Sequence, residues 1–306
     1  MAANAASTTA DLRVEAGGKT LVSPGYSFAT DTVKVKTDTR QPACGGTGKS
    51  LTIDGPNAMG ILLDAAKARP VLSPVGVSDR FSFGLLVCGV GKFMSDATSF
   101  WLYKVDHKSP EVGAEQFALT GGEEVLWYRQ SGTVNSGAEL ALETPVRAKR
   151  KGAFEVTVVA YDFAGKKTPA AGAQVNFPGG SAIVGDDGRA EVKVSKAGQA
   201  KLSATRGIDI PSGAVEVCIG KKLSDCSAKR GKRIFGTPKA DELKGTGGPD
   251  VISAGKGKDE IDVRRGGEDK VKCGKGRDSV RIGKGDTAAK DCEVVNGEPR
   301  SAGKKK

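Results

Sequence analysis

A single histidine, His107, serves all 306 residues, and none of the six cysteines forms a Cys-x-x-Cys pair. A zinc site of nitrogen and sulfur ligands is therefore not expected. No stretch approaches the roughly eighteen apolar residues that a helix needs to cross a bilayer, so no membrane span of that kind is expected. No Gly-x-Ser-x-Gly elbow accompanies His107, which reads as a solvated turn residue beside Asp106. The doublets Glu123-Glu124 and Asp186-Asp187 are neighbours, and neighbours on a strand face opposite sides, which makes them poor acid and base partners. Residues 43–50 fit a loose nucleotide-loop pattern, yet a strand and a turn follow where a phosphate loop would open a helix. The chain is not expected to be an enzyme. Residues 1–6 lack a signal-type hydrophobic segment and read as the start of a mature exported chain.

Aromatic residues are also scarce, at 5%, while glycine reaches 43. With many Val, Thr and Ser runs between turn signals, this composition predicts a mainly β, multidomain chain of small modules. The cysteines fall into three local pairs, Cys44 with Cys88, Cys218 with Cys226 and Cys273 with Cys292. Three disulfides in an oxidising compartment are expected, out of fifteen possible pairings. The formal net charge is +11, concentrated in a basic linker over 221–234 and a basic tail over 298–306. Such runs suit an anionic polymer as partner. Nucleic acid is not expected, since no aromatic rings interleave the basic residues for base stacking.

Residues 1–10 read as a flexible tail. Over 11–143, alternating strands surround one amphipathic helix in which Met59, Leu62, Leu63 and Ala66 fall at helical spacing between Pro56 and Pro70. One helix across a small mixed sheet is a β-grasp arrangement. Ile53-Asp54-Gly55 leading into residues 57–66, then residues 100–106, then residues 119–128, together resemble the transcobalamin-like C-terminal domain. The resemblance implies a binding domain. Its helical partner domain is absent from this sequence, so no corrinoid-contacting residue is carried over. Val105-Asp106-His107 stands where the family commonly has Val-Asn-Gly, so that turn is expected to differ. Trp101, Tyr103, Trp127 and Tyr128 are candidate ligand-binding residues, either as an outward aromatic platform or as plain sheet packing.

Residues 144–220 alternate as the strands of a short β-sandwich. Gly172-Ala173-Gln174-Val175 with residues 185–190 resembles the immunoglobulin-like, carboxypeptidase-regulatory modules of exported bacterial proteins, implying a rigid spacer.

The most regular pattern lies over 235–297. Asp241, Asp250, Asp259, Asp269 and Asp278 step by nine, nine, ten and nine, each with an aliphatic residue two places on: Leu243, Ile252, Ile261, Val271 and Val280. A nine-residue period suits one short strand and one tight turn, wound into a parallel β-roll. These residues resemble the haemolysin-type (RTX) calcium-binding repeat, which implies Ca2+ held by Asp241, Asp250, Asp259, Asp269 and Asp278 with the carbonyls of Gly255, Gly257, Gly274 and Gly276. Alternate aspartates should share an edge, and the turns of Asp259 and Asp278 keep both glycines. Lys and Arg at many loop positions leave open a second reading, a roll kept only as a hydrophobic ladder.

The expectation is thus a secreted or cell-surface, bacterial-type binding protein with a calcium-binding roll and an unidentified surface or small-molecule ligand. The alternative is a basic structural protein that anchors to an anionic cell-wall polymer and has a metal-free roll.

Overall fold

The strand Thr8–Ala16 organises the N-terminal half. It pairs in parallel with Glu124–Ser131 and antiparallel with Tyr26–Thr30 and Lys19–Val22, and Ser99–Val105 extends the sheet beyond Glu124–Ser131. The chain is seen here in a computed structural model that describes residues 8–131, 137–221, 231–264 and 268–299. It is mainly β, with one α-helix among the described residues. Because strand side chains alternate, Leu12, Val14, Val125 and Trp127 share one face and are buried with Met59, Ile61, Leu62 and Ala65 of the helix Ala58–Ala68. Asn57 starts that helix, its Oδ1 accepting the Gly60 N–H at 2.7 Å. The strand begins at Thr8, so residues 8–10 belong to it and not to a tail.

The opposite sheet face is covered by the sandwich. This second module stacks the sheet of Glu139–Glu143, Ala153–Tyr161, Lys167–Pro169 and Arg189–Lys193 on a second sheet of five strands, around an aliphatic core that includes Val158, Val192, Leu202 and Val217. Ile210 packs on Leu126 and Tyr128. Beside it, buried Glu139 takes the Arg13 Nη2 at 2.6 Å and His107 Nδ1 at 2.9 Å on Oε1, with Lys104 Nζ 3.7 Å from Oε2. Lys104 also donates to the Asp162 carbonyl at 3.0 Å. Burial pushes the Glu139 carboxyl up, but the His107 hydrogen bond and the charges of Arg13, His107 and Lys104 outweigh it and hold it below the usual range. The module expected as a rigid spacer thus packs against this sheet through a buried ionic contact.

His107 is accordingly part of the interface and not a solvated turn residue: its ring lies 3.9 Å from that of Tyr161, nearly parallel. The turn keeps the left-handed geometry that a glycine would favour, with φ of 46° at Asp106 and 68° at His107. Asp106 Oδ1 accepts the Glu124 N–H, and the stacked His107 ring is fixed from both sides, which offsets the backbone cost of about 1–2 kcal/mol per residue.

In the C-terminal roll, Arg233–Phe235, Val251–Lys256, Lys270–Lys275 and Thr287–Ala288 form one parallel wall. Glu242–Lys244, Glu260–Val263, Ser279–Ile282 and Val294–Val295 form the other. Leu243, Ile252, Ile261, Val271 and Val280 point inward together. The first wall does not end at the roll. Arg233–Phe235 also pairs in parallel with Tyr26–Thr30, so the N-terminal sheet and the roll wall are one nine-stranded sheet. Phe235 stacks on Phe28 at 5.1 Å, Ala29 joins the roll core, and Lys232 and Lys239 bond Asp11 and Asp31, each at 2.8 Å. The end of the expected linker is therefore the first strand of the roll.

Cys44–Cys88 and Cys273–Cys292 are disulfides. Cys218 is disulfide-bonded, while its expected partner Cys226 lies outside the described residues, as do 222–230 of the basic linker and 300–306 of the basic tail. The Cys273–Cys292 bridge spans 19 residues and is expected to contribute about 3 kcal/mol by loop closure.

Two outcomes follow from these junctions. Ile234→Ala, which truncates a buried side chain of the shared strand, should cost about 2–5 kcal/mol. Hydrogen exchange should then accelerate together in Tyr26–Thr30 and Val251–Lys256; acceleration confined to the roll would show two separate units. Glu139→Ala, which leaves Lys104 buried without its ion-pair partner and Arg13 with only Glu124 at 3.5 Å, should cost about 3–5 kcal/mol by chemical denaturation.

Candidate metal centre

Six strands of the roll, those starting at Glu242, Val251, Glu260, Lys270, Ser279 and Thr287, begin just after an aspartate, and this fixes where the carboxylates lie. The buried carboxylate of one rung accepts the backbone N–H of the matching residue one full turn earlier. Along one edge, Asp241 N–H donates to Asp259 at 2.9 Å, Asp259 N–H to Asp278 at 2.9 Å and Asp278 N–H to Glu293 at 2.8 Å. Along the other, Lys232 N–H donates to Asp250 at 2.6 Å, Asp250 N–H to Asp269 at 2.6 Å and Asp269 N–H to Asp286 at 3.0 Å. The structure therefore brings Asp241, Asp259 and Asp278 into one column and Asp250 and Asp269 into the other.

Asp286 and Glu293 extend the columns, and sequence reading missed both. The signal was present: Gly283 and Gly285 precede Asp286, and Ala288 and Val295 occupy the inward position two residues on. Shorter steps of eight and seven, and glutamate in place of aspartate, hid the continuation.

The second carboxylate oxygen divides the sites. At Asp241 it accepts from the amide of Thr237 at 2.6 Å, and the Thr237 hydroxyl lies 3.0 Å from Oδ1. Thr246 serves Asp250 in the same way, its hydroxyl 2.8 Å from Oδ1. Gly255 and Gly274 stand at that position before Asp259 and Asp278 and bring no hydroxyl, and the Gly274 amide is given to Asp291 Oδ2 at 3.0 Å instead. Among the described residues, the Oδ2 atoms of Asp259, Asp269 and Asp278 are buried without a hydrogen-bond partner. Buried carboxylate oxygens of this kind are costly unless a proton or a cation meets them. Calcium fits these three carboxylates, whereas Asp241 and Asp250 are already closed by threonine.

Gly255, Gly257, Gly274 and Gly276 all have positive φ. A Cβ on Gly274 or Gly276 would run into the carbonyl of Gly255 or Gly257 one turn away. The glycines thus let successive turns stack backbone on backbone, a demand separate from metal binding. Their carbonyls lie along the Asp259 and Asp278 edge, although Gly257 N–H already uses the Lys275 carbonyl at 2.8 Å. Elsewhere among the described residues, Asp38, Cys44 and Cys88 converge closely enough for a metal, but the two sulfurs are bonded to each other.

The aromatic candidates separate as well. Trp101 and Trp127 are buried, with their indole N–H groups given to the Phe93 and Ala58 carbonyls at 2.9 Å. Tyr128 is buried on the other face, against Ile210. Only Tyr103 is half-buried; it stacks on Trp127 at 5.4 Å and borders a cleft of about 470 Å3 with exposed Phe83, Val112 and Phe163. All four candidates lie along that cleft, with Trp101, Trp127 and Tyr128 buried beneath it and Tyr103 the more exposed ring.

Burial, reinforced by the charges of Asp241 and Asp278, raises Asp259 to about 7, and burial with the charges of Asp286 and Asp250 raises Asp269 to about 6. Asp278 moves in the same direction for the same leading reason. Raised carboxyls contribute stability at low pH that is lost as pH rises through the folded value, whereas lowered Glu139 contributes stability that is lost on acidification below its ordinary 4.5. Without metal, the chain should therefore gain stability as pH falls from above 7 towards 5, then lose it below about 4.5. Melting at stepped pH in chelator checks this, and Asp259→Asn should flatten the upper part; stability that only falls from pH 7 downward would contradict it.

No protein-family model, no curated protein and no solved structure matches the chain.

Proposed function

We propose that the chain is a secreted or cell-surface, non-enzymatic binding protein whose C-terminal roll takes up calcium at Asp259 and Asp278, with Asp269 as a weaker position on the opposite edge. The observation that carries this reading is the set of buried, unpartnered Oδ2 atoms stacked among like charges. Bound calcium would supply the positive charge that these oxygens lack and would accept carbonyl oxygens as further ligands. The disulfides favour an oxidising compartment, where free calcium is also plentiful. Because the roll wall continues into the N-terminal sheet, calcium would stabilise the N-terminal domain as well as the roll. The cleft beside Tyr103 is the position on that domain that suits a small apolar ligand.

Calorimetry on the full chain tests the calcium reading. The natural sequence should bind at about 0.1–1 mM. Asp259→Asn with Asp278→Asn, which keeps the amide-accepting oxygen, should abolish that heat, and Asp241→Asn should leave it. Absence of heat and of thermal stabilisation at several times that calcium concentration would overturn the proposal.

A further inference from the structure

The two walls of the roll share one scaffold but handle their outward charges differently. On the Glu242–Lys244, Glu260–Val263 and Ser279–Ile282 wall, acids answer the cations: Lys244 lies 2.8 Å from Glu242, and Arg264 and Arg281 both pair with Asp262. The opposite wall and its loop edge carry Lys256, Lys258, Lys270, Lys272, Lys275 and Arg277, all exposed. Among the described residues none of these six makes an ion pair.

Their placement follows from register. Lys256 pairs with Lys275 across adjacent parallel strands, and Lys270 and Lys272 alternate outward along one strand while Val271 and Cys273 turn inward. Lys258 and Arg277 occupy the same loop position, one residue before Asp259 and Asp278. Adjacent turns stack about 4.8 Å apart, so Lys256 with Lys275 and Lys258 with Arg277 form a two-by-two grid at the loop edge, while Lys270 and Lys272, about 7 Å apart along one strand, lie beside it on the wall. The nearest column carboxylates do not neutralise it, because Asp259 and Asp278 are buried and turned to backbone amides.

We propose that this grid is a docking surface for an extended polyphosphodiester without bases, of the poly(glycerol phosphate) type. Five of the six cations are lysines, which meet phosphate as point charges. Nucleic acid is disfavoured because the one aromatic residue of the roll, Phe235, is stacked on Phe28 and leaves no ring on this wall for a base. The surface is independent of the calcium reading.

The test uses the full chain in chelator, so that calcium uptake does not bear on the outcome. Binding to poly(glycerol phosphate) should weaken steeply as salt rises. K256Q/K275Q/R277Q should weaken it about tenfold or more at low salt, while K244Q/R281Q on the other wall should change it less than about twofold. Thermal melting should be unchanged in both variants, since all five side chains are exposed. No binding at low salt, equal loss in the two variants, or equally tight binding of oligo-dT or polygalacturonate would overturn the proposal.

Discussion

The parallel pairing of Arg233–Phe235 between Tyr26–Thr30 and Val251–Lys256 is the contact on which the architecture depends. A short parallel roll has two exposed sheet edges and little core, and an exposed edge invites association with other chains. Here one edge is removed by continuing the N-terminal sheet into the roll wall. Phe235 and Ile234 make the join both apolar and hydrogen-bonded, and the ion pairs of Lys232 and Lys239 fix it at either end. The sandwich secures the other face of the same sheet through Glu139, whose carboxylate gathers cations from two N-terminal strands and the turn at His107.

Within the roll, one residue type satisfies two demands that conflict. Beyond Asp241, each column carboxylate accepts a main-chain N–H from the preceding turn, which ties the rungs together. The same columns stack like charges in a buried place, which raises the carboxyls. In the first rung of each column a threonine closes the second oxygen. Further along, at Asp259 and Asp278, glycine takes the threonine position, which permits close stacking of the turns and leaves the oxygen open. The change from threonine to glycine therefore divides a self-contained part of the roll from a part that benefits from a cation.

Much of this was legible from spacing. The nine-residue step with an aliphatic residue two places after each aspartate implied the inward ladder, and Met59 with Leu62 implied the helix, because both patterns are local and strictly periodic. The sheet junction was not legible, since Ile234 ends what reads as a basic linker, Phe235 opens the roll, and their partner strand is some two hundred residues away. Nor was the charge cluster around Glu139: Arg13, Lys104 and Glu139 each look like ordinary outward residues of separate strands, and only the docking of the sandwich brings them together. The aromatic pairs left two readings open for the same reason, because Tyr128 points outward from its sheet but inward to the interface.

The most direct test of the central claim is anomalous diffraction from crystals of the full chain grown with millimolar calcium. The account predicts a calcium peak within coordination distance of the Oδ2 atoms of Asp259 and Asp278, and none at Asp241 or Asp250. Carboxylates at Asp259 and Asp278 met only by water or protein donors, with no anomalous peak, would contradict it.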